Sequence, residues 1–369
     1  MKTITCYLFL VIGLTSFAQQ TAIPDQNFEQ ALINLGLDDV IDGQVLTANI
    51  ENVIELNVAS NNISNLTGIE DFTALETLVS SDNPITNLDV SNNLSLKNLD
   101  ARGNPLQSLD VTQNLDLEIL QIWFSEMTTI DLSQNVNLEI FGARSSQLTS
   151  LDFSNNPLLT TVQVRNSNIS NIEFGSNSAI TALEIGGNQL TSIDTSELSN
   201  LSTLLCESNL LTSLDVSNNS ALSWLFCYNN QLNDLDIRNG NNNSLTSMDA
   251  TENSDLTCIF VDNANATIID TWMLDEASTV VETETECEAL SVQDNFVVNT
   301  QLYPNPATTH FLLSGEYPID NLSIYSVTGK LIASFDARET YDVSELQQGL
   351  YFVTISSEMS EVTRKLIIK

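Results

Sequence analysis

Between positions 84 and 230 this sequence sets polar side chains in columns that recur every 21 residues, and any chemistry it performs must be sought there. One column is acidic: Asp89, Asp110, Asp131, Asp152, Glu173, Asp194, Asp215 and Asp236. Two places after these stand Ser91, Thr112, Ser133, Ser154, Gly175, Ser196, Ser217 and Arg238. Carboxylates stacked at the strand spacing of about 4.8 Å repel by roughly 0.9 kcal/mol per neighbouring pair even at the dielectric of water, so they need a local counterpart. Two counterparts fit. Nearby hydroxyls and amides, for example at Thr149 and Ser150 or at Thr212 and Ser213, would supply hydrogen bonds. Calcium or another hard cation threaded along the carboxylates is the sharper alternative. The hydrogen-bonded arrangement is the simpler, and no cofactor is otherwise implied.

The other column is basic and aromatic. Outward pairs on the second half of each repeat are Asp100/Arg102, Gln121/Trp123, Gly142/Arg144, Gln163/Arg165, Glu184/Gly186, Leu205/Glu207 and Phe226/Tyr228, with Trp224 close by. Three of the six arginines in the chain fall in one column, interrupted only by Trp123. Arginine with exposed aromatics is what recognition surfaces collect. Arg102, Trp123, Arg144, Arg165, Trp224, Phe226 and Tyr228 are therefore the candidate binding face, for a protein, or for an anionic or glycan ligand taken by guanidinium forks and ring stacking. The bland alternative is that these side chains pair with Asp100 and Glu184 or cover the sheet.

Catalysis finds little support. A hydrolytic triad needs a positioned base beside its nucleophile, and the single histidine, His310, lies outside the repeats. No Cys/His cluster has zinc-ligand spacing. The expectation is a protein that binds and does not catalyse.

The period itself dictates what holds these columns. Seven consecutive blocks of 21 residues run without an insertion, a less regular unit precedes them and a longer one follows. One such unit cannot bury its apolar face alone, so the units must stack into a solenoid. Within each block the phrase L-x-x-L-x-L-x-x-N occurs twice, as at Leu211, Leu214, Val216, Asn219 and then Leu222, Leu225, Cys227, Asn230. Each half is read as one short strand with alternate residues inward. The Asn residues closing the half turns, such as Asn93, Asn114, Asn135 and Asn104, are read as structural amides serving the turn backbone. This pattern resembles the leucine-rich repeat family, in its nested class of 21-residue turns. The resemblance implies a mainly β solenoid with two short strands per turn and a protein-binding role.

The ends frame the solenoid. Residues 1–18 join Lys2, an apolar run and Ser16, Phe17 and Ala18, which reads as a secretory signal cleaved at Ala18. Residues 19–62 are read as an N-terminal cap with one amphipathic helix over 23–37; the acidic stretch 38–43 is read as a turn, its spacing missing that of a calcium loop. Repeats occupy 63–253 and a C-terminal cap 254–287. In an oxidising compartment a Cys258 to Cys287 disulfide would clamp that cap, a pairing that also resembles the closing segment of this repeat class. Cys206 and Cys227, one period apart, read as small buried apolar residues. Residues 288–300 read as a linker.

From 301 to 369 the period is gone and five strand-like runs separated by turn signals predict a small β-sandwich. Three marks stand in order there: Tyr303, Pro304, Asn305 and Pro306; then Gly349 and Tyr351; then Lys365 to the terminal Lys369. They are similar to those of the type IX secretion system C-terminal sorting domain, which implies export across the outer membrane and contact with that secretion machinery. Composition agrees with an exported binder. With 11 Lys+Arg against 48 Asp+Glu and a net charge of -37, the chain will not seek nucleic acid or an anionic membrane surface. No stretch is read as a transmembrane segment. The whole is expected to be a secreted or surface-held solenoid for protein interaction or adhesion, with a glycan-capturing accessory protein or a structural surface-layer component as alternatives.

Overall fold

A computed structural model describes residues 19–290, 301–314, 320–357 and 360–369. The expected signal segment with its cleavage at Ala18, and most of the expected linker, lie outside the described residues. Two compact units divide the chain, Met1–Val280 and Val281–Lys369.

The first unit is a solenoid whose spine is a ten-stranded parallel sheet, running in chain order from Glu55–Asn57 to Ser247–Asp249. Its strands are three residues each, and neighbours pair in strict register: Leu99 faces Leu120, Leu120 faces Phe141, and Leu183 faces Leu204. An uninterrupted period makes this register inevitable, since a slip of one residue would turn every leucine outward. These central residues are fully buried and, with the apolar positions of the first half turns, form one continuous core.

After each strand the chain bends through a left-handed residue at one fixed place in the period: Asp82, Gly103, Phe124, Ser145, Asn166, Gly187, Ser208 and Asn229. The bend aims that residue's N–H at the next coil, as in Gly103 N to Trp123 O (2.9 Å) and Phe124 N to Arg144 O (2.8 Å). Glycine and asparagine adopt this conformation readily, whereas a phenylalanine there is strained. The gained inter-coil hydrogen bond opposes that cost.

Two internal columns of amides satisfy the carbonyls that the strands leave over. Asn135 Nδ2 donates to Val111 O (3.0 Å) and Asn114 O (2.9 Å), and Asn156 repeats this one coil on. In the other column Asn104, Asn188, Asn209 and Asn230 do the same, for example Asn209 Nδ2 to Ile185 O and Cys206 O, both 3.1 Å.

The expected second strand forms in the first half-turn over part of the solenoid. Strands Ser150–Asp152 and Asn171–Glu173 pair with each other, and Ser213–Asp215, Asp234–Asp236, Cys258–Phe260 and Thr279–Val281 form a second sheet. Between positions 84 and 149 only an isolated bridge, Asn87 with Ser108, joins this row among the described residues. Leu88, Val90, Leu109 and Val111 remain buried there. Capture of the amide two residues on by the aspartates does not separate the two kinds of coil, since Asp152 and Asp215 make it at the ends of paired strands.

At the N-terminal end a helix, Gln26–Asn34, begins at Asp25, whose carboxylate accepts from Asn27 N and Phe28 N. The other oxygen of Asp25 takes Ser64 N (2.8 Å), Ser64 Oγ (2.7 Å) and Asn65 N (3.0 Å), tying the helix to the first coil. The acidic turn is organised by a buried side chain: Glu29 Oε1 accepts from Asp42 N (2.8 Å), Gly43 N (2.6 Å) and Gln44 N (3.2 Å). Strand Gln20–Ala22 pairs antiparallel with Gln44–Leu46 beside it.

The second unit holds two antiparallel sheets, one of three strands and one of four. Leu302, Phe311, Leu322, Ile324, Tyr341, Val353, Ile355, Leu366 and Ile368 form their shared core. The order in the larger sheet is Leu331–Asp336, Asn321–Ser326, Gly349–Ser357 and Ser360–Ile368.

Candidate interaction face and sorting segment

Because strands of the long sheet pair residue for residue, the outward positions stack coil upon coil, and Arg102, Trp123, Arg144 and Arg165 stand in one column. The Trp123 ring lies between two guanidinium groups, with Arg102 4.9 Å and Arg144 4.8 Å from its centroid. Such cation–π contacts favour the stacked geometry by about 0.5–1 kcal/mol each at exposed sites. Each arginine is also ion-paired. Arg102 holds Asp100 two residues back at 2.6 Å, Arg144 reaches Glu184, and Arg165 reaches Glu207.

The Trp123 stack and the Arg165–Glu207 pair depend on missing side chains. A Cβ on Gly142 would collide with the Trp123 indole nitrogen, and one on Gly186 would collide with the Glu207 carboxylate. Glycine at both places lets the ring and the carboxylate lie flat on the sheet. Glu207 is consequently 3% exposed although it sits on an outward position. Its role, and that of both glycines, has one sequence signal: an outward strand position left without a side chain.

Toward the C-terminal end the same face becomes apolar. Strand Trp224–Phe226 carries Trp224, 51% exposed, with half-buried Phe226 and Tyr228, and Leu205 lies across from Phe226 on the neighbouring strand. Phe124, 61% exposed in a left-handed conformation, projects beside the Arg/Trp stack and was not among the sequence candidates. Its large apolar ring in a column otherwise filled by Gly, Asn, Ser and Asp is the signal that marks it.

The acidic column is engaged, but by partners other than Thr149, Ser150, Thr212 and Ser213. Asp89, Asp131, Asp152 and Asp194 each accept at 2.9 Å from the backbone N–H two residues on, and Asp215 does so at 2.8 Å. Asp110 takes both Thr112 N (2.9 Å) and Thr112 Oγ1 (2.7 Å). The following serine's hydroxyl, then its amide, holds the Asp89, Asp152 and Asp194 carboxyls below their ordinary 3.8. For Asp110 and Asp131 the amide is the stronger cause. Asp236 likewise accepts from Arg238 N at 3.0 Å and also pairs with the Arg238 guanidinium at 2.6 Å. Among the described residues no group of three or more His, Cys, Asp or Glu could hold a metal ion.

Cys258 and Cys287 are disulfide-bonded, as the compartment predicts. Cys206 and Cys227 are free and fully buried in adjacent coils. Burial pushes the Cys227 thiol up to about 12 and Cys206 upward too, so neither is a nucleophile or a ready metal ligand.

In the C-terminal unit Asn305 performs a backbone's work. Its Nδ2 donates to Lys365 O at 2.6 Å and its Oδ1 accepts from Ile367 N at 3.0 Å, so the motif between Pro304 and Pro306 grips the last strand. Lys369 N continues the grip on Ala307 O at 2.9 Å. Gly349 opens the strand paired with that last one, Tyr351 Oη bonds Gln347 O at 2.9 Å, and Lys365 is exposed opposite Phe352. Tyr303 is 71% exposed.

Residues 301–369 match the family described as secretion system C-terminal sorting domain. No curated protein matches the sequence. Among solved structures, the functional domain of InlJ from Listeria monocytogenes, which includes a cysteine ladder, is similar with a TM-score of 0.52 at 18% identity, covering 95% of this chain and 99% of that one. Internalin C2 of the same organism gives 0.43 at 21% identity over 59% of this chain and 91% of its own. A leucine-rich-repeat protein of Leptospira interrogans gives 0.45 at 17% identity over 63% and 73%. Among the described residues no helix is long and apolar enough to cross a membrane. The first unit thus has a solenoid fold similar to that of leucine-rich-repeat proteins, and residues 301–369 are a type IX secretion C-terminal sorting domain, by which the chain is exported, to the cell surface or beyond.

Proposed function

We propose that the solenoid binds a protein partner through the outward face of its long sheet, from Arg102 to Tyr228, and that it acts in adhesion or protein capture outside the cell. The observation that carries this is the closed state of the face. Every arginine in the column is already committed to a carboxylate of the same sheet, and Trp123 is already stacked. A surface that has settled its own charges in advance loses little on desolvation and little side-chain entropy on docking. The aromatic end at Trp224, Phe226 and Tyr228 then supplies the anchor that interfaces concentrate in a few residues.

The same closure speaks against guanidinium forks held open for an anionic glycan. The cell-adhesion test uses the full chain and the variant Trp123→Ala/Trp224→Ala/Tyr228→Ala. The variant is expected to lose adhesion to partner cells while its unfolding midpoint stays near that of the parent. Adhesion that survives the triple change rejects this face. Binding on a glycan array that the triple change abolishes moves the reading to a glycan. Arg165 is unsuitable for the test, because its removal strands the buried Glu207 carboxylate.

A further inference from the structure

The four-stranded sheet of the C-terminal unit has one face on the core and one turned away from it, on which Thr354 is 9% exposed and the apolar residues named below are more open. Register shows what this outer face carries. Leu331 pairs with Tyr325, Tyr325 with Phe352, and Phe352 with Lys365, so these four stand in one row across all four strands. Leu350 pairs with Ile367 in the next row. Residues alternating with them, Ile324, Val353, Leu366 and Ile368, are buried in the core. Leu331 is 51%, Phe352 39% and Ile367 37% exposed.

The other half of the face is different in kind. Ser323 shares a hydroxyl hydrogen bond with Ser334, and Thr354 with Thr363. One half is therefore apolar and the other a hydroxyl lattice satisfied within itself. Exposed apolar area in a compact patch with a polar border marks an interaction surface.

Charge says what kind of partner fits. The chain carries 48 acidic residues against 11 basic ones. Lys365 and Lys369 nonetheless edge the patch along the last strand and Lys330 stands at the opposite edge, all exposed. The outward positions of this half include no Asp or Glu.

We propose that Leu331, Tyr325, Phe352, Leu350 and Ile367 form the surface by which the export apparatus holds this domain, and that the matching protein surface is an apolar patch bordered by carboxylates. The proposal rests on the sorting-domain reading and names the part of the domain that is read.

The experiment follows the full chain in its producing cells, measuring the fraction reached by external protease. Phe352→Asp and, separately, Lys365→Glu/Lys369→Glu are expected to lower that fraction about tenfold, the loss that follows from about 1.4 kcal/mol of binding. Ser334→Asp, on the hydroxyl half, is expected to be exported like the parent. Unfolding midpoints of the purified chains guard against misfolding; if Phe352→Asp fails to fold, the lysine variant decides. Normal export of a folded Phe352→Asp or of the lysine variant overturns the proposal. A chain deleted for 301–369 separates the two levels, since its continued export defeats the sorting reading itself. If Phe352→Asp instead converts a dimer to a monomer in sedimentation while export is unchanged, the face joins two copies of this chain and the proposal is overturned.

Discussion

Gly142 and Gly186 act by what they lack. Because no Cβ rises from either, the indole of Trp123 and the carboxylate of Glu207 lie against the sheet and within reach of Arg144 and Arg165. Gly142→Ala is expected to lift Trp123 out of the Arg102–Arg144 stack. Its emission should shift toward that of a solvated indole, and partner binding should fall about tenfold with the solenoid still folded by circular dichroism. The aspartates make a second residue-scale prediction. Hydrogen bonds hold Asp89, Asp110, Asp131, Asp152 and Asp194 below 3.8 in the folded chain. A carboxyl depressed on folding contributes stability that is present above its unfolded value and lost as pH falls through the folded one. The unfolding midpoint is therefore expected to hold as pH falls toward 3.8 and to drop below it. A midpoint that stays level through that window removes these bonds as stabilising elements.

At the level of the coil, the asparagine columns hold the turns where water cannot reach. Asn135→Ala takes one of two donors from Val111 O and from Asn114 O, which keep Asn114 N (3.0 Å) and Leu117 N (3.1 Å). The expected cost is about 1 kcal/mol for each lost bond, measurable by denaturant unfolding, and an unchanged midpoint would show that these bonds add nothing to stability. The period, the inward leucines and these amides were legible because stacking demands the same solution in every coil. The columns are not unbroken. In one, Leu198 stands in place of asparagine, with Thr195 Oγ1 nearby at 2.8 Å from Asn219 Oδ1 and 3.1 Å from Asp215 O. In the other, Ser125, Ser146 and Ser167 replace asparagine, Ser146 and Ser167 sharing a hydroxyl hydrogen bond at 3.1 Å. Short-range pairs were legible as well, since Asp100 and Arg102 share one strand face. The Arg165–Glu207 pair was not. It spans two coils, and only a glycine between its ends betrays it. The missing strands between 84 and 149 escaped because apolar alternation records burial and says nothing of whether neighbouring backbones pair.

Across the whole molecule, the disulfide joins Cys258 of the last coils to Cys287. Closing a loop of this size is worth about 3.6 kcal/mol in the chain-entropy picture. Reduction is expected to lower the unfolding midpoint, with fraying that begins at the C-terminal coils in hydrogen exchange. Protection lost first at the helix Gln26–Asn34 would contradict that order. The sorting segment was legible in its three marks, whereas the outer face of its larger sheet was not, since which residues alternate outward depends on the irregularity between Ile324 and Tyr325.

The unbroken 21-residue period gives the first unit the property of a graduated ruler. Cutting out one whole block rejoins the leucines in phase, leaving a shorter rod that still folds. It also slides the Trp224–Tyr228 cluster one graduation, about 4.8 Å, toward the Arg102–Trp123 stack. A partner that spans both marks would feel the change as a misfit in length with no contact residue altered. Spacing between marks is thus a quantity that selection can adjust in whole steps, independently of the chemistry at either one.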